Sequence, residues 1–249
     1  MATLTLFNPK GGSGKSTTAL IIGTELHSAG AKVAMCDGDP NANLYRWAQQ
    51  RGLPVLDTST VQVESVEDAA NALKILEGAP FVAIRNTDAQ QLPFWLTALD
   101  AMFDGVIVDP EGTANSWVTT AVNLSDLVIV PTRPSPMDAE QMVRAVQLIQ
   151  AQETVLRRKI SFVVMFACMS PLMTRDEKEI RDFVVRRSYP MLNTALIERA
   201  AYRAIVKNRK LLSELEEKDY SSLKTARRNA NELLKEILEL IDSQQKAAA

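Results

Sequence analysis

The sequence is poor in several residue types, and each shortage excludes a class of protein. Its 249 residues include only two cysteines and one histidine, too few for a disulfide framework or a histidine-based metal site. No 18 apolar residues follow one another without a charge, so no membrane-spanning helix is predicted. No basic leader precedes the first strand-like run, so no signal peptide is predicted either. We therefore expect a cytoplasmic protein that is not embedded in a membrane.

The charge is nearly balanced overall but is unevenly distributed. The chain is 46% hydrophobic and 23% charged, with a net charge of −2, which is typical of one globular domain and excludes a globally basic protein. Residues 1–150 carry 9 basic and 16 acidic residues (net −7), whereas residues 172–228 carry 14 and 9 (net +5). This asymmetry fits either a functional electrostatic surface or solvated helix faces with i,i+4 pairs.

Short apolar runs alternate with longer helical patterns along most of the chain. We predict strands at 3–7, 32–36, 81–84, 105–108, 127–130 and 160–166, and helices at 15–29, 42–50, 66–76, 92–102, 113–122, 137–156 and 176–187. This alternation predicts an α/β fold, a mostly parallel twisted sheet with helices on both faces. Ligands of such sheets bind beyond the carboxyl ends of the strands.

A glycine-rich loop follows the first predicted strand and leads into the first predicted helix. Gly11, Gly12 and Gly14 allow backbone N–H groups to turn inward around phosphate oxygens, and the helix that begins near Lys15 points its positive end at the same anion. The Lys15 ammonium can reach the β- and γ-phosphates, and the Ser16 hydroxyl can bind Mg²⁺. The arrangement therefore predicts a P-loop nucleotide site.

A second lysine, Lys10, lies five positions before Lys15. One lysine suffices to hold a triphosphate, so Lys10 is either a surface residue or a charge supplied to a phosphate in a facing subunit. The segment 10–17 resembles the deviant Walker A motif, KGGxGK[ST], of the ParA/MinD family of ATPases. The resemblance implies that Lys10 reaches across an ATP-bound homodimer, and it implies nucleotide contacts by the whole motif: Lys10, Gly11, Gly12, Ser13, Gly14, Lys15, Ser16 and Thr17.

Carboxylates follow two further predicted strands. Asp37 and Asp39 lie two residues apart, so they point the same way on an extended backbone and suit Mg²⁺ binding and orientation of water, although an Asp-Gly-Asp-Pro turn alone also explains them. The stretch resembles the family's D-x-D-P-Q motif, which implies that Asp39 positions the water; Asn41 replaces the usual Gln. Asp109 ends the strand-like run 103–109 and matches the Walker B position. The predicted metal ligands are Ser16, Asp37, Asp39 and Asp109.

Two loops extend the resemblance toward the nucleotide. Glu111 follows Asp109 and is either a switch residue or a solvated loop residue. The segment 127–136 resembles the family's V-P-x-x-P segment, which implies nucleotide contacts by Pro131 and Thr132. The region that often carries an adenine-binding Asn holds Ala167, Cys168 and Met169 here, so specificity for ATP is implied by the family alone.

The C-terminal third carries the basic excess. We predict that Arg199, Arg203, Lys207 and Lys210 share one helix face and bind DNA phosphates without sequence preference, although a solubilising face explains the same pattern. Residues 221–243 have one apolar stripe, which predicts a helix docked on the single domain 1–249. Acidic residues on its polar side disfavour membrane binding. The alanines 247–249 are interpreted as a cloning remnant.

These features together predict a slow, Mg²⁺-dependent ATPase of the ParA type. The resemblance implies that ATP closes the homodimer, that the dimer binds nonspecific DNA and the nucleoid, and that a ParB-like or centromere-binding partner stimulates hydrolysis and release during plasmid or chromosome partition. The alternative is a VirC1-like or cargo-positioning adaptor that binds nucleotide but scarcely hydrolyses it. Asn41 and Glu111 are the residues that permit this alternative.

Overall fold

One parallel sheet forms the centre of the molecule, for which the computed structural model describes residues 2–170 and 174–248. Within these ranges the strands are β1 (Ala2–Leu6), β2 (Val33–Gly38), β3 (Val55–Asp57), β4 (Phe81–Arg85), β5 (Gly105–Pro110), β6 (Leu127–Thr132) and β7 (Phe162–Phe166). Their order across the sheet is β3-β4-β2-β5-β1-β6-β7, and every neighbouring pair is parallel. The predicted fold class is therefore confirmed.

Helices cover both faces of this sheet. Those in the described ranges are α1 (Lys15–Ser28), α2 (Asn43–Arg51), α3 (Val66–Leu73), α4 (Leu92–Met102), α5 (Ser116–Leu124), α6 (Pro136–Leu156), α7 (Arg175–Arg186), α8 (Ala200–Asn208) and α9 (Leu223–Ala248). Along β2, Val33 and Met35 join the core beneath α1, α2, α8 and α9, whereas Ala34 and Cys36 join the core beneath α3 to α7. The period of two in a strand thus divides the apolar residues between two cores.

Several predicted boundaries are shifted, and each shift has a local cause. Helix α5 begins at Ser116 rather than 113, because the Asn115 side chain accepts a hydrogen bond from the Val118 N–H and caps the helix there. Helix α3 ends at Leu73, and the last predicted residues, Lys74–Leu76, form a 3₁₀ turn. Strand β3 was not predicted, because three half-buried residues at a sheet edge carry too little pattern.

The C-terminal helix α9 packs along the side of the sheet that carries α1. Its apolar stripe includes the buried residues Leu223, Leu233 and Ile237, and the Tyr202 hydroxyl of α8 donates a hydrogen bond to the Ala226 carbonyl oxygen. Residue 249 of the interpreted cloning remnant lies outside the described residues. No helix in the described part of the chain combines the length and the apolarity needed to cross a bilayer.

Candidate functional site

The loop between β1 and α1 is shaped to surround an anion. Gly12 and Gly14 adopt positive φ angles of 77° and 96°, a region that residues with a Cβ rarely enter. Ser13 and Thr18 are almost fully buried, and neither hydroxyl has a hydrogen-bond partner in the described residues. Buried hydroxyls without partners are costly unless a ligand satisfies them, so this loop fits a phosphate.

Lys15 is held at the centre of this loop. Its side chain is buried, and its Nζ donates to the carbonyl oxygens of Asn8 and Lys10, each at 3.2 Å. Burial lowers the pKa of Lys15, while the carboxylates of Asp109 and Asp39 raise it. A partly desolvated ammonium of this kind gains most from a bound anion, because little water competes for it.

Lys10 is paired within its own protomer. Its Nζ lies 2.9 Å from Asp138 Oδ1, and only 5% of the Asp138 side chain is exposed. The Ser135 hydroxyl donates to the second carboxylate oxygen of Asp138, and Ser135 caps α6. Sequence analysis did not identify Asp138, although the Ser-x-x-Asp spacing at the start of α6 is the signal of a capping pair.

The carboxylates of β2 and β5 meet at the carboxyl edge of the sheet, where Asp37 and Asp109 are register partners. Asp37 is fully buried, and its two oxygens accept hydrogen bonds from the backbone N–H groups of Asp39 (3.1 Å) and Tyr45 (2.9 Å). Burial raises the pKa of Asp37 to about 6, although these N–H groups oppose the shift. Asp37 therefore braces the turn into α2, and its oxygens are less available to a metal than predicted.

Asp39 is more accessible than Asp37. Its Oδ1 accepts hydrogen bonds from the backbone N–H of Asn41 at 2.8 Å and from the Asn41 side-chain amide at 2.9 Å. Asn41 therefore fixes the orientation of the Asp39 carboxylate, which is predicted to position water.

Asp109 has the carboxylate that best fits a metal ion. It is 1% exposed, and neither oxygen has a hydrogen-bond partner at normal geometry among the described residues. Burial raises the pKa of Asp109 to about 7; the nearby Ser16 hydroxyl and Lys15 ammonium oppose the shift. No three Asp, Glu, His or Cys side chains in the described ranges form a metal cage. One carboxylate and a P-loop hydroxyl suit Mg²⁺, which keeps waters and takes phosphate oxygens.

The loop after Asp109 lies directly against the phosphate loop. A Cβ on Gly112 would lie 3.3 Å from Lys15 Nζ and 3.4 Å from the backbone nitrogen of Gly11. Glu111 accepts a hydrogen bond from the Asn115 side chain, which also caps α5. Glu111 is thus anchored to a helix start, so it is a structured loop residue rather than a freely solvated one.

Trp117 connects the two carboxylate loops. A Cβ on Gly38 would lie 2.2 Å from its ring, so only glycine fits between Asp37 and Asp39. The indole N–H donates to the Asn86 side-chain oxygen at 2.9 Å, and the Asn86 backbone N–H donates to the Asp37 carbonyl oxygen at 3.0 Å. Sequence analysis missed Trp117, because its contact with Gly38 spans 79 positions of the chain.

A largely apolar pocket of about 390 Å³ opens beside the start of α1, within the size range of small-molecule sites. Thr17 reaches it from the first turn of α1, and Ile197 and Tyr202 contribute apolar surface. Its remaining lining includes the side chains of Arg133, Cys168, Arg199, Arg203 and Lys207.

Pro131 and Thr132 do not line this pocket. Both are buried at the end of β6, where Pro131 accepts a hydrogen bond from the Asn8 amide and Thr132 accepts one from the Ala167 N–H. Their burial leaves little side-chain surface to meet a nucleotide, and the predicted nucleotide contacts of Pro131 and Thr132 stay a prediction. Arg133, the next residue, is exposed and does reach the pocket.

The four basic residues predicted to bind DNA do not share one helix face. Arg199 precedes α8 in an extended conformation, and Lys210 follows Arg209, whose φ of 54° ends the helix. Only Arg203 and Lys207 lie within α8, and Arg203 pairs with Glu198 at 2.6 Å. The prediction of a shared face was wrong because it extended a helical period past both ends of a nine-residue helix.

Comparisons with known proteins agree with this geometry. A family model described as ATPase MipZ matches residues 2–193. The chain is 32% identical over 208 residues to Protein ParA of Rhizobium radiobacter, covering 82% of each chain. It is 24% identical over 214 residues to Protein virC1 of Rhizobium rhizogenes, covering 82% of this chain and 80% of that one.

A solved structure has the same fold. An ATP complex of a McdA variant from Cyanothece superposes with a TM-score of 0.69 at 20% identity, covering 94% of this chain and 96% of that chain. At this level of identity the similarity concerns the fold alone.

Proposed function

The chain belongs to the ParA/MinD family of P-loop ATPases, and on that basis we propose that it is a nucleotide-driven switch for DNA partition. ATP closes a homodimer, the dimer binds nonspecific DNA in the cytoplasm and on the nucleoid, and a ParB-like or centromere-binding partner triggers hydrolysis and release. The observation that carries this proposal is the pair of lysines at one phosphate loop. Lys15 lies inside the loop, whereas Lys10 lies at its rim.

The nucleotide is held by groups of the phosphate loop and of the pocket beside it. The backbone of residues 11–14, the Ser13 hydroxyl and the Lys15 ammonium hold the phosphates, and the pocket beside Thr17 takes the nucleoside. Ser16 and Asp109 would hold Mg²⁺, and Asp39, whose charge acts on both Lys15 and Asp109, would assist. When bound, Mg²⁺ neutralises charge on the phosphate oxygens during transfer.

Hydrolysis is assigned to Asp39 and Lys10. Asp39 accepts a proton from, or orients, the attacking water, and Asn41 holds the carboxylate in place. Lys10 must leave Asp138 before its ammonium can reach a facing protomer. Lys10 would exchange the Asp138 carboxylate for a phosphate, so its ammonium is paired both before and after the movement. This pairing lowers the free-energy cost of the movement.

DNA binding is assigned to the exposed cations at α8 and just after it, namely Arg203, Lys207 and Lys210. Arg203 and Lys207 also line the pocket but are exposed, whereas Arg199 is half-buried there, so we assign Arg199 to the nucleoside instead. Each monomer offers few phosphate contacts, so its binding is weak and sensitive to salt. Dimerisation doubles the number of contacts, which makes DNA affinity depend on ATP.

The test combines light scattering with DNA retention. With ATP and Mg²⁺, Asp39→Ala is expected to form dimers that retain nonspecific duplex and release it as salt rises, and Lys15→Ala is expected to remain monomeric with low retention. Lys224→Ala, an exposed lysine on α9, is the matched control. Equal retention with ATP, with ADP and in Lys15→Ala would remove the nucleotide switch.

A second candidate is a VirC1-like or cargo-positioning adaptor with little hydrolysis. The contact of Asn41 with Asp39 favours it, because a carboxylate already satisfied by two N–H groups has less capacity for water. Phosphate release with and without DNA separates the two. An Asn41→Gln variant that raises turnover would support restraint by Asn41, and strong partner-stimulated turnover in the unaltered chain would exclude the adaptor.

A further inference from the structure

A groove of about 660 Å³ runs between α6 and α7, on the side of the sheet opposite α9. We call it the α6–α7 groove. Its floor is apolar and is formed by Ala139 and Val143 of α6 and by Ile180 and Phe183 of α7. Val143 and Phe183 remain partly exposed there. The groove is not part of the nucleotide site described above, and no described residue covers it.

Three exposed arginines line this groove: Arg144, Arg186 and Arg187. None of them forms an ion pair with a described residue, and the Arg187 guanidinium stacks over the Phe183 ring with 5.1 Å to the ring centroid. Two glutamates also line the groove, but Glu179 is already paired with Arg175 at 2.8 Å, which leaves only Glu140 without a cation. The groove therefore offers an apolar floor with an excess of unpaired positive charge.

We propose that the α6–α7 groove binds an acidic, amphipathic helix of a partner protein. An amphipathic helix places its apolar residues in the space between two helices, so leucine-like side chains fit the floor. Its flanking carboxylates pair with Arg144, Arg186 and Arg187, and Arg187 is already oriented by the Phe183 ring. Charge complementarity of this kind selects an acidic partner over a basic one.

The groove is connected to the phosphate site through Arg144. This arginine also lines a hollow of about 310 Å³ together with Gly112, Thr113 and Ala114, the loop that lies against Lys15. A helix that engages Arg144 therefore acts on the loop next to the phosphates, which gives the partner a physical route to the rate of hydrolysis. This second step rests on the proposed function, whereas binding to the groove does not.

The binding test uses a designed probe. A fluorescent helical peptide of about 16 residues, with leucines at i, i+3, i+4 and i+7 and glutamates elsewhere, is titrated with the full chain without nucleotide. A second peptide carries lysines in place of the glutamates. The glutamate peptide is expected to bind at least ~10-fold more tightly, and hydrogen exchange is expected to slow in residues 139–147 and 179–187.

Variants at exposed positions locate the site. Arg144→Glu with Arg187→Glu is expected to weaken the glutamate peptide at least ~10-fold, whereas Arg228→Glu on α9, the matched control, is expected to leave it unchanged. Thermal melts establish that each variant is folded. Equal binding of both peptides, or an equal loss in Arg228→Glu, overturns the proposal.

Two further outcomes distinguish this proposal from a dimer interface at the same groove and from the proposed ATPase cycle. If the double variant loses ATP-induced dimers in light scattering but keeps peptide binding, the groove is a face between two copies and the proposal fails. If the peptide binds through the arginines but the chain never releases phosphate from ATP, the groove is supported and the proposed ATPase cycle fails.

Discussion

The phosphate loop and the region around α8 were both predicted to bind anions, but the two predicted sites are built from different parts of the chain. The predicted site in the loop is built from backbone geometry, with glycines at positive φ and a lysine buried among carbonyl oxygens. The predicted site around α8 depends on side-chain charge, and of its four cations Arg199, Arg203 and Lys207 line a pocket whereas Lys210 does not. A site built from local backbone conformation can be predicted from a short motif. A site built from surface charge depends on where a helix begins and ends.

The strongest test of this comparison removes the ammonium from the loop. Lys15→Ala is expected to weaken ATP binding at least ~100-fold, or about 2.7 kcal/mol, because the phosphates lose their contact with a desolvated ammonium. Calorimetric titration with ATP and Mg²⁺ measures this loss, and Lys224→Ala serves as the unaffected control. A loss below about 5-fold would show that the backbone alone holds the phosphates.

The next test concerns the packing behind the loop. Gly38→Ala is expected to destabilise the fold by about 2 kcal/mol, because its Cβ would overlap the Trp117 ring. Gly11→Ala is the matched control within the site, because nothing lies within 4 Å of its Cβ position and its φ is not positive. Denaturant unfolding of both variants measures the difference, and equal stability would mean that the Trp117 ring can shift without cost.

A pH test addresses the junction between α1 and the C-terminal region. Burial raises the pKa of Glu25 to about 7 from 4.5, with partial opposition from Arg227. The folded chain therefore binds this proton more tightly than the unfolded chain. The contribution of the protonated Glu25 to the free energy of unfolding is full below pH about 4.5 and is lost as the pH rises through about 7.

Stability is accordingly expected to fall between pH 5 and pH 8. Glu25→Gln is expected to reduce that fall by about 1 kcal/mol after allowance for solvent screening. Part of the fall remains in this variant, because the pKa values of Asp37 and Asp109 are also raised in the folded chain. Unfolding at both pH values measures the effect. Glu232→Gln, on the exposed side of α9, is the control. An unchanged pH slope in Glu25→Gln contradicts the assignment.

The smallest effects are expected at α8, and they test how its cations are divided. Lys207→Ala or Lys210→Ala is expected to weaken nonspecific DNA binding about 3-fold and to reduce the salt slope by about 1. Arg199→Ala is expected to weaken ATP binding about 3-fold with no direct effect on DNA contacts. If Arg199→Ala changes the salt slope as Lys207→Ala does, the residue belongs to the DNA surface.

The sequence predicts most of the fold and the phosphate loop, because both depend on short-range patterns. The order of strands and helices follows from alternating periods, and Gly12, Gly14 and Lys15 have the conformation and position that the motif predicts. Asp138 and Trp117 could not be predicted as site residues, because each meets its partner only after the sheet forms. The separation of Arg199 from Lys210 was missed because the prediction extended a helical period past both ends of α8.

Trp117 gives the molecule an optical signal of its own. Its indole lies against Gly38 and donates a hydrogen bond to the Asn86 side chain. Any separation of the two carboxylate loops therefore changes the environment of the indole ring. The other two tryptophans lie elsewhere: Trp95 within α4, and Trp47 hydrogen-bonded to the Ile205 carbonyl oxygen. With Trp47 and Trp95 replaced by phenylalanine, the emission of the unlabelled protein would follow these loops in real time.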